Sequence, residues 1–250
     1  MEPIHLQVCA GLANRLRALV SGICFAEDLK RPLVLHWPPI EPSCCAHFEA
    51  LFDPSSLPSF VTVVPEYPER QRLTQCLSQE DLDKLKEKEG QEDQSVYNLK
   101  SYGWFHRSDP ERWLKHLRAL KPSQYIEERL SKLSFDDTLA VHIRRGDNEK
   151  SIQGSPLSVF LDLLAVNPSP KFLVATDDAD VRAIFQKHFP QKCVFVANVL
   201  ARNTEQGMIE AAIDFFALSR CEKILGSVYS SFSDIAALYG KVELILAKAH

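Results

Sequence analysis

From residue 137 onward, apolar runs of strand length alternate with segments of helix length. TLAVHI (138–143), KFLVAT (171–176), CVFVANV (193–199), KILGS (223–227) and VELILAK (242–248) predict strands. Between them, SPLSVFLDLLAVN (155–167), DADVRAIFQKHF (178–189), GMIEAAIDFFALSRC (207–221) and SSFSDIAALYG (230–240) predict helices. Strands that are apolar throughout, separated by helices, imply a parallel sheet covered on both faces, so this half reads as a doubly wound α/β domain. The N-terminal half repeats the theme less regularly. IHLQVCA (4–10) predicts a strand, GLAN a tight turn, NRLRALVSGICFAEDLK (14–30) a helix and PLVLHW (32–37) the next strand, together a βαβ unit. A Pro-rich stretch leads to a short apolar helix, CAHFEALF, and FVTVVPE (60–66) and SVYNLKS (95–101) are further strand candidates.

Between those two, LSQEDLDKLKEKEGQEDQ is highly charged without a clear apolar stripe and predicts a solvated helix followed by a mobile loop. DPERWLKHLRALKPSQYIEERLSKL (109–133) predicts helices broken near Pro122 that bridge the halves. The expected architecture is two α/β lobes with a cleft between them, residues 1–134 and 135–250.

Composition narrows the partners. The chain has 250 residues, 45% hydrophobic and 25% charged, as in ordinary globular proteins. A net charge of −4 argues against a nucleic-acid surface, which needs a basic face; any bound anion must be held by a local cluster. The seven cysteines form neither a CxxC pair nor a Cys/His zinc spacing, and they read as free thiols, with a bridge involving Cys44 or Cys45 left open. No run reaches the roughly 18 apolar residues of a membrane span, and MEPIHLQVCAG enters a strand at once. The expected location is the cytoplasm, or the Golgi or ER lumen if the sequence is a piece of a longer chain.

Four places can carry chemistry. Arg144 and Arg145 follow one another at the end of the strand TLAVHI, so their side chains point to opposite sides. One can face a ligand while the other braces the loop against Asp147. The planar fork of arginine suits bidentate phosphate binding, and Gly146 permits a sharp turn; an Arg–Asp ion pair at a domain interface is the structural alternative. GLANRLR (11–17) places Gly11 in a turn before a helix whose free N–H groups favour an anion, although Asn14 can equally cap that helix. In GSVYSSFSDIA (226–236), Ser230 and Ser231 sit where hydroxyls and N–H groups cradle a phosphate or simply cap a helix. Asp214 is a lone acid on an apolar helix face, which needs donors from a guanine, a ribose or the core itself. The acidic pairs DLD (81–83) and DDAD (177–180) admit a metal reading. The second, however, reads as a helix start with Thr176, Asp177 and Asp178 as caps, and no metal site is expected.

In this order and spacing, VHIRRGD, the GLANRLRALVSGICFAEDLKRPLVL unit, FLVATDD and IDFFALSRCEKILGSVYSSFSDIAALYG resemble the fucosyltransferase superfamily of α1,6-, α1,2- and protein O-fucosyltransferases. The resemblance covers most of residues 4–38 and 138–248. It implies a GT-B-like fold of two Rossmann-like lobes, with GDP-fucose as donor substrate, a glycan or protein hydroxyl as acceptor, inversion at the transferred carbon and no metal or other cofactor. Arg144 would hold the β-phosphate and stabilise the leaving group, and Arg145 would support its loop. His142 and Asp214 would contact guanosine, and Ser230 and Ser231 the phosphates. Asn14 would lie near the reaction centre. Asp147 and Glu149 are the acids nearest to the place of the catalytic base, which this chain does not match clearly. A nucleotide-sugar or phosphate binder without catalysis, and a metal-dependent transferase using DDAD, are the alternatives.

Overall fold

The computed structural model describes residues 2–39, 43–66, 73–88, 97–106, 108–201 and 203–249. The chain divides into two compact units, Met1–Gln124 with Arg202–Glu205, and Tyr125–Ala201 with Gln206–His250.

The first unit is built on the five-stranded sheet β1 (Ile4–Val8), β2 (Leu33–His36), β3 (Val61–Val64), β4 (Thr74–Gln75) and β5 (Asn98–Ser101), in the order β3-β2-β1-β5-β4 with every pairing parallel. In β1 the alternation of IHLQV buries Ile4, Leu6 and Val8 on one face. Helix α1 (Leu12–Leu29) is buried over most of its length. It stops where Lys30 turns left-handed and its N–H bonds back to Ala26 and Glu27. The short α2 (Phe48–Leu51), α3 (Gln79–Lys88) and α4 (Pro110–Ala119) complete this unit. Asp109 caps α4 by accepting the Arg112 N–H, ahead of Pro110. The charged α3 does have an apolar stripe: Leu82 and Leu85, one turn apart, are buried, so the expectation of a wholly solvated helix is corrected. The loop expected after it lies largely outside the described residues.

The second unit holds β6 (Thr138–Ile143), β7 (Lys171–Thr176), β8 (Cys193–Val194), β9 (Lys223–Ser227) and β10 (Glu243–Ala247), again all parallel, in the order β10-β9-β6-β7-β8. Its helices are α5 (Gln124–Leu130), α6 (Glu149–Gly154), α7 (Leu157–Ala165), α8 (Ala179–His188), α9 (Glu205–Leu218) and α10 (Ser231–Gly240). One side of the sheet packs Leu139, Val141, Phe172 and Val174 against Phe160, Leu164, Val181 and Phe185. Each such side chain contributes about 1.5–3 kcal/mol by leaving water.

Both units are Rossmann-like α/β layers, as the strand pattern implies. Strands β6, β7 and β9 occupy the residues predicted for them. Two elements differ. Helix α6 was not anticipated, and CVFVANV forms a ladder only over Cys193–Val194. Beyond Val194 the backbone bonds to side chains instead of a neighbouring strand. Arg129 donates to the Val196 carbonyl (3.3 Å) and Arg182 to that of Ala197 (2.7 Å), while the N–H groups of Ala197 and Asn198 go to Asp214 (3.3 Å) and Glu210 (2.9 Å). A buried main chain must find partners somewhere, and here charged side chains replace the ladder. All seven cysteines are free thiols. Among the described residues, no helix is long and apolar enough to cross a membrane.

Candidate functional site

Read as β8-β7-β6-β9-β10, the second sheet runs third, second, first, fourth, fifth in chain order, so the connection reverses between β6 and β9. Ligands of such sheets bind at this reversal, beyond the carboxyl ends of the strands. The turns that leave β6 and β9 are the two that carry Arg144–Asp147 and Ser230–Ser231.

The β6 turn is tightly held. The Arg144 N–H donates to Ser227 Oγ at the end of β9 (3.0 Å), and the Arg145 N–H to Asp177 Oδ1 at the end of β7 (2.8 Å). Gly146, at φ 43°, turns the chain back, which brings Asp147 to the Arg144 side chain. Arg144 forms ion pairs with Asp147 and Asp177, its own side chain being 15% exposed. Asp147 therefore braces Arg144 and not Arg145, because the turn at Gly146 returns the carboxylate to residue i of an i,i+3 pair. Arg145 is buried and bonds the Arg144 carbonyl through Nη1 (2.9 Å), while its Nη2 has no hydrogen bond among the described residues. Burial pulls its guanidinium below its ordinary pKa, opposed by Asp178.

His142, one strand position inside, is buried, and its ring lies 4.9 Å from that of Phe232 at an interplanar angle of 30°. Burial, aided by the nearby Arg144 charge, lowers its pKa to about 3, so the imidazole is neutral. Its Nδ1 is buried without a hydrogen bond among the described residues.

The β9 turn delivers helix α10. Ser230 stands at its N-cap position but makes no capping bond through its hydroxyl, and Ser231 is the first helical residue. Simple capping is thus not what the Ser230 side chain does. The first-turn N–H groups keep their partial positive charge for an anion. Gly226, just upstream, is required by close approach: a Cβ there would lie 2.8 Å from Ser233 Oγ and 2.9 Å from its Cβ.

Asp214 belongs to a different group of residues. It is 6% exposed on α9, where its Oδ1 accepts the Ala197 N–H, which is the core-partner role left open by the sequence. Burial raises its pKa to about 7, against the pull of Arg182 and that N–H bond. Arg182 has Nε and Nη2 buried without hydrogen bonds among the described residues. One turn earlier, the buried Glu210 pairs with Arg129 (3.2 Å).

Gly11 and Asn14 lie in the first unit, at the end of β1, the strand where that sheet also reverses. Gly11 is the N-cap of α1 in ordinary extended geometry (φ −70°), and the positive φ of 64° falls on Ala10. The turn does not depend on the glycine. Asn14 is three residues past the cap and cannot cap the helix, and its side chain makes no hydrogen bond among the described residues. Arg15 is the residue that secures this turn, with Nε on the Ala10 carbonyl (3.0 Å), Nη1 on that of Pro38 (2.7 Å) and its guanidinium 5.0 Å from the Trp37 ring centre.

Of the three expected caps before α8, only Asp178 caps, accepting from Asp180 and Val181; Thr176 ends β7, and Asp177 serves the arginine turn. Asp81 accepts the N–H groups of Leu77 (2.8 Å) and Ser78 (3.0 Å). Among the described residues, no three His, Cys, Asp or Glu side chains are grouped to hold a metal ion. Ser227 and Arg182 were not anticipated as site residues, and Asp177 was read only as a helix cap or as part of the DDAD metal alternative. Their side-chain hydrogen-bond partners lie 15–85 positions away, so no local signal marks them.

No protein-family model matches the chain, and no curated protein matches its sequence. Solved structures do. A NodZ α-1,6-fucosyltransferase soaked with GDP-fucose superposes with a TM-score of 0.67 at 21% identity, over 100% of this chain and 98% of that one. The fucosyltransferase NodZ from Bradyrhizobium gives 0.65 at 20% identity, over 94% and 93% of the two chains. POFUT1 in complex with GDP-fucose gives 0.61 at 14% identity, over 98% of each. The chain has the fucosyltransferase fold. That GT-B-like fold accounts for the two parallel sheets, and the residues that resemble the family's arginine and serine motifs occupy the switch point of the second of them.

Proposed function

We propose that this chain is a glycosyltransferase that moves fucose from GDP-fucose to a hydroxyl of a glycan or protein, with inversion and without a metal. One observation carries the reading. The Arg144–Arg145 turn and the N-terminus of α10 emerge on adjacent strands at the switch point of a sheet whose fold is shared with structures holding GDP-fucose.

In this reading Arg144 and the first-turn N–H groups of α10, with Ser230 and Ser231, hold the diphosphate, and Arg144 stabilises the charge that develops on the departing GDP. Arg145 keeps the turn in shape. The neutral His142 and the carboxyl of Asp214 contact guanosine. The two carboxylates on Arg144 differ. Asp147 is 76% exposed, so its ion pair is weak, whereas Asp177 is 14% exposed and anchored by the Arg145 N–H. An arriving diphosphate displaces Asp147 and leaves Asp177 in place. The released carboxylate then serves as the base that takes the proton of the acceptor hydroxyl.

A thermal-shift screen against GDP, UDP and ADP, followed by GDP release from GDP-fucose, tests the proposal. A ligand at 100 times its dissociation constant adds ~2.7 kcal/mol. Stabilisation by GDP above the others, together with turnover, is expected; equal response to all three nucleotides refutes the donor. Binding without turnover would favour a non-catalytic nucleotide-sugar binder, a reading supported by the occupation of Asp147 by Arg144.

A further inference from the structure

Tyr229 is a bulky residue in the left-handed region (φ 56°), directly before Ser230, with its side chain in the open at 73% exposure. For a tyrosine that conformation is unfavourable, and it persists only where neighbours impose it. Among the described residues, the side-chain hydrogen bonds to residues 228 and 229 come from residues 148–155. Asn148 Nδ2 donates to the Tyr229 carbonyl (3.0 Å), while Asn148 Oδ1 accepts the Ser151 N–H and caps α6. The Val228 N–H donates to the buried Ser155 Oγ (2.9 Å), which itself donates to the Ala247 carbonyl. Gly154 lies directly under this stretch, where a Cβ would be 2.4 Å from Val228 Cγ2 and 3.5 Å from the Tyr229 ring. The segment after the arginine turn thus reaches across to the serine turn and holds it by side chain, backbone and contact.

We infer that Asn148 is a positioning residue for the diphosphate: its amide holds Tyr229 left-handed and so aims the N–H groups of Ser230 and Ser231 at the anion. The inference rests on the diphosphate reading of that turn. Without the Asn148 donor, Tyr229 relaxes to negative φ and the start of α10 swings off target. Both roles of Asn148 reside in one side chain, and they can be separated. Serine at 148 keeps a good helix cap and loses the long amide donor. Glycine at 229 adopts positive φ without cost and needs no clamp.

The experiment measures GDP affinity by calorimetry for wild type, Asn148→Ser, Tyr229→Gly and the double variant, with thermal midpoints as the folding control. Asn148→Ser is expected to weaken GDP about tenfold, the size of a left-handed penalty of one residue. Tyr229→Gly alone should bind as well as wild type, and the double variant should return to within about threefold of it. Asn148→Ser binding as wild type, or a loss that persists in the double variant, overturns the inference. A loss in Tyr229→Gly alone also overturns it, because the ring would then be the contact. If wild type binds no GDP, it is the diphosphate reading that fails, and this inference falls with it.

Discussion

Replacing Arg144 by alanine removes the guanidinium from the switch point and strands two carboxylates. The transition-state loss is that of one charge-assisted donor to a developing anion, roughly 2.7–4 kcal/mol, which is about two to three decades in rate. The structural loss is separate. Asp147 is exposed and readily solvated, but Asp177, 14% exposed, keeps the Arg145 N–H at 2.8 Å as its one remaining partner among the described residues. Breaking a fully buried ion pair costs about 3–5 kcal/mol; with one hydrogen bond retained and some solvent access, about 1–3 kcal/mol is expected here. That is less than the roughly 5–15 kcal/mol stability of a typical domain, so the variant folds with a lowered melting point. The assay is GDP release from GDP-fucose at saturating donor, run beside a melting curve. Turnover should fall at least about a hundredfold. Arg144→Lys, which keeps the charge without the fork, should lie between the two. A folded Arg144→Ala protein with more than about a third of wild-type turnover refutes the assignment of Arg144 to the leaving group.

Asp214 supplies a pH dependence. Its pKa in the folded chain is about 7 against an ordinary 3.8, so the folded state keeps a proton that the unfolded chain gives up. Its contribution to stability is full below about pH 4 and is lost as pH rises through 7, by at most about 4 kcal/mol. Asp214→Asn should therefore raise the melting point at pH 8 and leave it nearly unchanged at pH 4; an equal shift at both excludes this cause. His142 acts in the opposite sense. With a pKa near 3 it contributes fully above about 6.5 and loses that contribution as pH falls towards 3, so His142→Gln should flatten the acid limb of stability between pH 6.5 and 4. Gly226→Ala should cost about 1–3 kcal/mol by overpacking against Ser233 and weaken GDP by displacing α10; unchanged stability would show that the helix relaxes freely. Turnover should survive EDTA, and activity lost to EDTA and restored by Mn²⁺ would replace the reading with a metal-dependent one.

What was legible in the sequence follows from how locally each signal is generated. Strands buried on both faces, such as TLAVHI and KFLVAT, are continuous apolar runs whatever they pair with, and their bounds agree with the structure. The parallel layers follow from their alternation with helices. CVFVANV looks the same in composition, yet it leaves the ladder after Val194 because Asp214, Glu210, Arg182 and Arg129 claim the backbone beyond it. That outcome depends on residues up to 67 positions away, which no periodicity records. Helix α6 was missed because six residues carry too little apolar pattern, and its cap, Asn148, accepts a backbone N–H at 151 that any residue but proline would supply.

The site divides in the same way. Amino-acid order alone determined that two guanidiniums follow a buried strand and that two serines open a helix after another, because strand ends and helix starts are local events. Only the tertiary structure decided that those strands are neighbours at the point where the sheet reverses, since strand order is settled by pairing and not by sequence position. It likewise decided that Arg144 answers to Asp147 and Asp177, that Ala10 rather than Gly11 carries the left-handed turn, and that Asn148 reaches Tyr229 across 81 residues. Charges, hydrogen bonds and strained dihedrals are satisfied by whatever the packed chain brings within about 3 Å, and that proximity exists only once the sheet has formed.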